Sequence, residues 1–258
     1  MRRNTAPFLS ALILSLVLAG CGGGEPSGGE AAETPSGAAA GTPAPTGNAV
    51  VSGSVTFQGT PPQRQRLRLD ADCQALHDGP VLAENVIVNE NGTLRNVFVY
   101  VKEGLEGGPF TPPAEPVVFD QQGCVYIPHV FGIMAGQTLR ILNSDPFLHN
   151  IHALPEVNRP FNFGMPKQGD VREQSFRVPE VMVRIKCDVH PWMSAYAGVL
   201  GHPFYSVTGE DGTFTIANLP AGSYVIEAWH EEYGTATQNV TVAEGETATV
   251  SFSFGAGT

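Results

Sequence analysis

Short alternating runs of apolar and polar residues recur along the chain after residue 48, and none of them keeps a helical period for long. Apolar residues at every second position indicate half-buried strands. Asn91-Gly92 is a strong hairpin signal between two such runs. Strands this short and frequent predict an all-β protein of the sandwich or barrel type. The predicted strands before the C-terminal stretch are Val50–Phe57, Val86–Val88, Val97–Val101, Val117–Phe119, Val125–Ile127, Gln137–Leu142, Gln174–Val178 and Val181–Cys187.

The C-terminal stretch repeats this alternation between tight turns. The apolar positions Tyr224, Ile226 and Ala228 fall on one face of a predicted strand. A run of the form D-G-x-F-x-I-x-x-L-P-x-G-x-Y resembles the carboxypeptidase regulatory-like domains, and it consists of Asp211, Gly212, Phe214, Ile216, Leu219, Pro220, Gly222 and Tyr224. The resemblance implies a small transthyretin-like β-sandwich with a structural role. Such domains often begin with a strand like Ser52–Val55, so the sequence leaves open whether the first strand pairs with this sandwich.

The N-terminus has the layout of a secretory signal. Positive charge at Arg2 and Arg3 precedes the apolar run Phe8–Leu18, which is too short to span a bilayer. Leu18–Cys21 then resembles the bacterial lipobox. The resemblance implies that residues 1–20 are a signal peptide and that Cys21 carries a diacylglycerol. Because Gly22 follows this cysteine, we expect an exported protein of the cell envelope, held on the outer membrane facing the periplasm if the organism has one.

The remaining chain divides into three predicted parts. Residues 21–47 are almost all Gly, Ala, Pro, Ser, Thr and Glu, and this composition predicts a disordered tether. Residues 48–203 and residues 204–258 are the two predicted folded domains. The net charge of −11 becomes −13 once the signal peptide is removed, because that segment contains two arginines and no acidic residue. An acidic surface argues against nucleic acid and fits a basic partner.

Two of the four cysteines are predicted to form a disulfide. Cys21 belongs to the lipobox, and Cys187 lies in a metal-like motif. Cys73 and Cys124 remain, and an isolated pair in an oxidising compartment is most often bridged.

The candidate chemistry lies in two segments. Cys187, His190 and Met193 provide a thiolate, an imidazole and a thioether within seven residues, directly after a predicted strand. A second segment, Asn143–His152, adds further histidines upstream. A thiolate and two imidazoles in a trigonal set, with a weak axial methionine, define a blue copper site. Zinc prefers a closed set of Cys and His ligands and has no use for the methionine.

These two segments together resemble the cupredoxins, and the amicyanins in particular. The spacing Cys-x-x-His-Pro-x-Met occurs at Cys187, His190, Pro191 and Met193, while His149-Asn150-Ile151-His152 matches the upstream run, with Leu148 in place of a proline. The resemblance implies a Greek-key β-sandwich with one type 1 copper bound by His149, Cys187, His190 and Met193. It also implies that Asn150 ties the two ligand loops together by hydrogen bonds, and that His190 is the ligand nearest solvent, through which electrons enter or leave.

Several features lie outside the resemblance. Residues 155–169 are expected to form a longer loop, and Asp145 is expected to shape a turn with the following proline. His152 is expected not to bind copper, and His129 is expected to lie on the surface or in a hydrogen-bonded core; the pattern does not assign either a role. Copper nitrite reductases and multicopper oxidases need additional histidine ligands in His-x-His runs, which this chain lacks.

The sequence therefore favours electron transfer over catalysis, so we expect no enzyme activity. The expected partner is a redox protein such as a cytochrome or a membrane-bound respiratory complex, met at the membrane surface to which the lipid anchor confines the chain. Two alternatives stay open. One is a copper-delivery lipoprotein of the envelope, and the other is an envelope scaffold with a vestigial copper domain.

Overall fold

The computed structural model describes residues 47–255, and within them nearly all regular structure is β-strand. The all-β prediction is confirmed. One short helix, α1, is found in this part of the chain, at Ala71–Gln74. The strands are β1 Ala49–Gln58, β2 Phe98–Glu103, β3 Val117–Gln122, β4 Val125–Ile127, β5 Val130–Met134, β6 Leu139–Asn143, β7 His149–Leu154, β8 Phe161–Met165, β9 Val171–Gln174, β10 Glu180–Lys186, β11 Ser194–Leu200, β12 Tyr205–Val207, β13 Thr213–Leu219, β14 Gly222–His230, β15 Gly234–Val242 and β16 Thr247–Gly255.

These strands form four sheets, which build two sandwiches. The site sandwich consists of the sheets β5-β11-β10-β7-β8 and β4-β3-β6-β9. The terminal sandwich consists of the sheets β13-β1-β16 and β12-β2-β14-β15. Each sandwich has its own buried cluster of apolar side chains.

The first strand belongs to the terminal sandwich, which answers the question that the sequence left open. β1 pairs in parallel with β16 and antiparallel with β13. β2 also lies there, antiparallel to β14 and β12. From residue 47 onward, the chain therefore passes first through the terminal sandwich, then builds the site sandwich from β3 to β11 and then returns to the terminal sandwich. On its N-terminal side, this division differs from the predicted domain of residues 48–203.

Burial along the C-terminal strands follows the predicted alternation. Tyr224, Ile226 and Ala228 are buried together on β14, as predicted. On β13 the alternate residues Phe214 and Ile216 are buried between exposed threonines. Strands with a period of two place one face on the core, so a pattern of this kind is readable without tertiary information.

The two sandwiches meet where glycines admit aromatic rings. Gly198 of β11 lies opposite Gly132 of β5 in a parallel pairing. A Cβ atom at Gly198 would come within 2.3 Å of the Phe98 ring, and one at Gly132 would come within 2.1 Å of the Tyr205 ring. The absence of both side chains therefore lets β2 and β12 of the terminal sandwich pack directly onto the site sandwich.

Three local predictions were wrong. Val86–Val88 is not a strand, because the predicted hairpin is reduced to one isolated bridge between Val88 and Leu94. The expected loop at 155–169 contains β8, an edge strand whose alternate residues Phe161, Phe163 and Met165 pack against the core of the site sandwich. The strand predicted at Gln174–Val178 lies earlier, since β9 ends at Gln174.

Candidate metal centre

The upstream candidate ligand stands at the start of a central strand. His149 is the first residue of β7, which lies between β10 and β8. The side-chain amide of Asn143 donates to the carbonyl oxygens of Phe147 and Met165, each at 2.8 Å. Its Oδ1 atom accepts from the backbone N–H of Asp145 at 3.1 Å. Asn143 therefore fixes the turn that delivers His149 into the core.

The other three candidate ligands share one tight loop between β10 and β11. Within it the backbone N–H of Cys187 donates to the Met193 carbonyl at 3.2 Å, and that of Met193 donates to the His190 carbonyl at 3.0 Å. The backbone N–H of His190 also donates to the sulfur of Cys187 at 3.3 Å. The loop is thus closed on itself before any metal enters.

The structure brings the two segments together inside the site sandwich. His149 Nδ1 lies 3.0 Å from His190 Nδ1, and the sulfur of Cys187 lies 3.9 Å from the same atom. One donor atom from each of these three residues lies within 4.8 Å of the others. The exposed fractions of His149, Cys187, His190 and Met193 are 0%, 2%, 6% and 1%, so all four are shielded from water.

Asn150 joins the two loops by hydrogen bonds. Its Oδ1 atom accepts from the backbone N–H of Asp188 at 3.1 Å. Its amide group donates to Asn162 Oδ1 at 2.7 Å and to the Phe163 carbonyl at 3.1 Å. Asn150, which follows the candidate ligand His149, therefore binds the backbone of Asp188, which follows the candidate ligand Cys187.

Two further side chains support the site and were not assigned to it from the sequence. The carboxylate of Asp145 accepts from His149 Nε2 at 2.8 Å and from the backbone N–H groups of Gly123 and Cys124, each at 2.7 Å. The buried phenol of Tyr126 donates to the Asn150 carbonyl at 2.5 Å. The sequence could have indicated the role of Asp145, because this residue lies four positions before His149. No local feature of the sequence indicated a role for Tyr126.

These contacts set the charges of the metal-free site. Burial by itself lowers the pKa of His149, but hydrogen bonds to Asp145 and Cys187 raise it to about 9. Burial by itself raises the pKa of the Cys187 thiol, but the bond from His149 and three backbone N–H groups lower it. Burial and the neighbouring charge of His149 lower the pKa of His190. A metal ion replaces the protons on its histidine and cysteine ligands, so we expect metal binding here to release protons.

The outer edge of His190, the most exposed of the four candidate ligands at 6%, is nearly covered by a neighbouring segment of the chain. The structure joins Cys73 and Cys124 by a disulfide. Cys73 Sγ lies 3.7 Å from His190 Nε2, and the Asp70 carboxylate lies 3.5 Å from the same nitrogen. The Trp192 ring packs on His190 with centroids 5.1 Å apart, and its Nε1–H donates to the Cys124 carbonyl at 3.0 Å.

The remaining histidines of interest lie away from the three donors. His129 Nε2 pairs with Glu231 at 2.5 Å, and its Nδ1 contacts the Ser194 carbonyl at 3.0 Å. His152 pairs with Asp188 at 2.9 Å on the surface. Both were expected to be non-ligands, and the described structure gives each of them a different partner.

The donor chemistry of the buried cluster fits a metal ion. Because Nε2 of His149 is engaged by Asp145, its Nδ1 is the free ring nitrogen, and it faces another ring nitrogen at 3.0 Å. Two imidazole nitrogens that face each other can share one proton as an N–H···N hydrogen bond or can both bind a metal ion, and the buried sulfur of Cys187 adjoins them. Two other groupings of possible ligands include Cys73 or Cys124, whose sulfurs are bonded to each other.

Comparison with known proteins supports the reading of the C-terminal stretch. Residues 196–255 match the family model of the carboxypeptidase regulatory-like domain. The resemblance of that stretch is therefore confirmed, and the match begins within β11 rather than at the predicted boundary after residue 203. Among curated proteins, none matches the chain.

Several solved structures resemble the chain weakly. A Cu-containing nitrite reductase from Thermus scotoductus has 24% identity and a TM-score of 0.29, over 38% of this chain and 25% of that one. A purple cupredoxin from Nitrosopumilus maritimus has 22% identity and a TM-score of 0.27, over 32% of this chain and 98% of that one. An amicyanin variant in its reduced Cu(I) form has 19% identity and a TM-score of 0.30, over 38% of this chain and 99% of that one.

The predicted membrane attachment lies outside the described residues. The signal peptide, Cys21 and almost all of the tether precede residue 47, so the structure does not bear on them. Between residues 47 and 255, no helix is long and apolar enough to cross a membrane.

Proposed function

We propose that this protein binds one type 1 copper ion through His149, Cys187, His190 and Met193 and passes single electrons. The observation that carries the proposal is the meeting of three donor atoms, a thiolate and two imidazole nitrogens, within 4.8 Å of one another in a buried pocket. This set, with a methionine from the same loop, is the one that blue copper sites use.

The chain's own residues favour that ion over zinc. A structural zinc site takes four Cys or His ligands. Here the three-donor group with Cys187 has one thiolate and two imidazoles, and the nearby sulfurs of Cys73 and Cys124 are committed to a disulfide. The buried thioether of Met193 is a soft donor that suits copper.

The surrounding hydrogen bonds hold the donors in one geometry. Asp145 orients His149, and backbone N–H groups donate to the sulfur of Cys187. Asn150 locks one ligand loop to the other. When bound, copper supplies a one-electron couple between Cu(II) and Cu(I). A rigid ligand frame reduces the rearrangement that accompanies each electron, and this supports electron transfer.

A filled set of four buried ligands leaves no coordination position for a substrate, and this supports a carrier rather than an enzyme. The acidic net charge of −11 supports a basic redox partner such as a cytochrome. The lipobox-like Leu18–Cys21 supports attachment to a membrane surface in the cell envelope.

The test is a copper titration of the protein, followed by visible absorption and electron paramagnetic resonance. We expect one equivalent of copper to give an intense blue thiolate-to-copper band and a narrow hyperfine splitting. Cys187→Ser should lose both signals while it keeps the all-β circular dichroism spectrum. His152→Gln, next to the same loop but paired with Asp188, should keep both.

Two results would contradict the proposal. A protein that stays colourless with copper, or one whose spectrum is the same with Cys187→Ser, does not have this site. Rapid loss of copper to a mild chelator would instead favour the delivery alternative, because a cargo site must release its metal.

A further inference from the structure

The two ring nitrogens of His190 face different surroundings. Nδ1 faces the buried donors, 3.0 Å from His149 Nδ1 and 3.9 Å from Cys187 Sγ. Nε2 faces outward, where Cys73 Sγ lies at 3.7 Å and Asp70 Oδ2 at 3.5 Å. The imidazole ring therefore connects the metal-binding pocket on one side with a separate segment of the chain on the other.

That segment, residues 69–77, is here called the cover. It contains α1, whose N-cap is Asp70, with the carboxylate accepting from the backbone N–H of Cys73 at 2.9 Å. The disulfide fastens the cover to the turn between β3 and β4. His77 adds a contact of 2.8 Å with the Gly123 carbonyl. The cover is therefore tied to the site sandwich at two points beside the ligand loops.

The cover leaves His190 almost no contact with water but is itself exposed. The exposed fraction of the side chain is 7% for His190 and 52% for Asp70. Electron tunnelling is fastest through covalent bonds and short contacts and falls steeply across gaps. A step from His190 Nε2 to Cys73 Sγ, or to the Asp70 carboxylate, is short and leads to the surface through bonded atoms.

We propose that electrons cross between the copper site and its partner through the cover, and that a positively charged face of a redox protein docks over Asp70. This inference rests on the proposed function and names the surface it uses. One electron moves per encounter. The Cys73–Cys124 bond stays intact throughout, so no bond forms or breaks and no other reductant is required.

Charge supports the choice of partner. Asp70, Asp72 and Asp78 are exposed in and beside the cover, and the chain as a whole carries −11. The exposed Arg66 and Arg68 precede them, so the attraction is expected to be local to Asp70 rather than spread over the whole segment. A competing exit is the surface at Leu148 and Val189, two exposed residues that each adjoin a candidate ligand.

The first experiment compares charged oxidants on the copper-loaded, reduced protein by stopped flow. The oxidants are a cationic cobalt(III) phenanthroline complex and anionic ferricyanide. Asp70→Asn keeps a good helix N-cap while it removes the charge. We expect this variant to be oxidised about threefold more slowly by the cationic complex and about threefold faster by ferricyanide at low salt. Both effects should be lost at high salt. Glu244→Gln, an exposed charge on the terminal sandwich, should change neither rate.

Opposite responses are required because Asp70 lies close enough to His190 to alter the reduction potential as well. A change of potential alone shifts both oxidations in the same direction. Equal shifts with the two oxidants, or the same shifts in Glu244→Gln, would therefore overturn the inference.

A second experiment needs no copper. Hexaamminechromium(III), a paramagnetic cation, is titrated into the copper-free protein while backbone amide resonances are recorded. Line broadening should concentrate in residues 69–77 and diminish in Asp70→Asn. Broadening that bypasses this segment would contradict the docking surface. If the protein forms no blue copper site in the titration, the proposed function itself is wrong. If the protein is blue but Asp70→Asn shifts both oxidation rates equally, the proposed function stands and only this inference is wrong.

Discussion

Asp145 and His149, four residues apart and both buried, form a hydrogen-bonded pair at 2.8 Å. The carboxylate is held in turn by the backbone N–H groups of Gly123 and Cys124. These bonds fix Nε2 of the histidine and leave Nδ1 directed at His190. A partner on the far side of a ligand histidine sets both its tautomer and its basicity.

The first prediction concerns this pair. Asp145→Asn replaces one of the two carboxylate oxygens with an NH₂ group, which cannot accept a hydrogen bond. At least one of the three donors, the N–H groups of Gly123, Cys124 and His149, therefore loses its acceptor. We expect copper affinity to fall by about 10- to 100-fold. A competition titration against a chelator of known affinity measures the change. Glu244→Gln serves as the control for loss of one negative charge, and an unchanged affinity in Asp145→Asn would show that the carboxylate does not position the ligand.

The second prediction concerns the buried phenol. Tyr126→Phe keeps the ring that packs on Phe119 at 4.9 Å but leaves the Asn150 carbonyl without its donor. We expect a loss of about 1–3 kcal/mol in the free energy of unfolding. We also expect a shift of the blue absorption band, because the phenol, whose pKa burial raises, lies close enough to Cys187 for that group to raise its pKa further. Chemical denaturation and visible spectroscopy measure the two effects.

A matched variant separates stability from the site. Tyr205→Phe also removes a hydroxyl that donates to a backbone carbonyl, that of Gly132, at 2.9 Å. It should lose stability but leave the blue band in place. A band that moves equally in both variants would assign the shift to general loosening of the fold.

The third prediction concerns the junction of the two sandwiches. Gly198→Ala puts a methyl group where only 2.3 Å separates it from the fully buried ring of Phe98. We expect a destabilisation of about 1–3 kcal/mol from overpacking, measured by thermal or chemical unfolding. Gly79→Ala, where an added Cβ meets nothing within 4 Å, should be close to neutral. Equal stability of the two variants would mean that the sandwiches are not packed as described.

The fourth prediction concerns acid. Burial lowers the pKa of His230 to about 4 from an ordinary value of 6.5. As the pH falls below 6.5, His230 becomes protonated in the unfolded chain but stays neutral in the folded chain. The free energy of unfolding therefore decreases progressively between pH 6.5 and pH 4. For this side chain the loss is at most about 3 kcal/mol.

Burial also lowers the pKa of His202 to about 4, so two groups contribute in the same window. His230→Gln keeps an acceptor for the backbone N–H of Glu232 but does not titrate. Unfolding free energies measured in urea from pH 7 to pH 4 should show about half the wild-type slope in this variant. An unaltered slope would place the acid sensitivity elsewhere.

The sequence by itself determined the features whose cause is local. Alternation marked most of the strands, because a strand with one buried face repeats every two residues. The loop Cys187–Met193 was recognisable as a candidate ligand loop because three possible donors lie within seven residues of one strand end. The two strand predictions that were wrong, at Val86–Val88 and Gln174–Val178, lie where the structure has an isolated bridge or a strand end.

Only the tertiary structure decided the relationships between distant segments. Cys73 and His190 lie 117 positions apart, and Thr56 and Phe252 lie 196 apart, yet each pair is in contact. No periodicity encodes such contacts, since they depend on how sheets pair and stack after the strands have formed. For this reason the sequence did not predict that residues 69–77 pack against His190. It also left open the pairing of β1 with β16, which only the sheet topology decides.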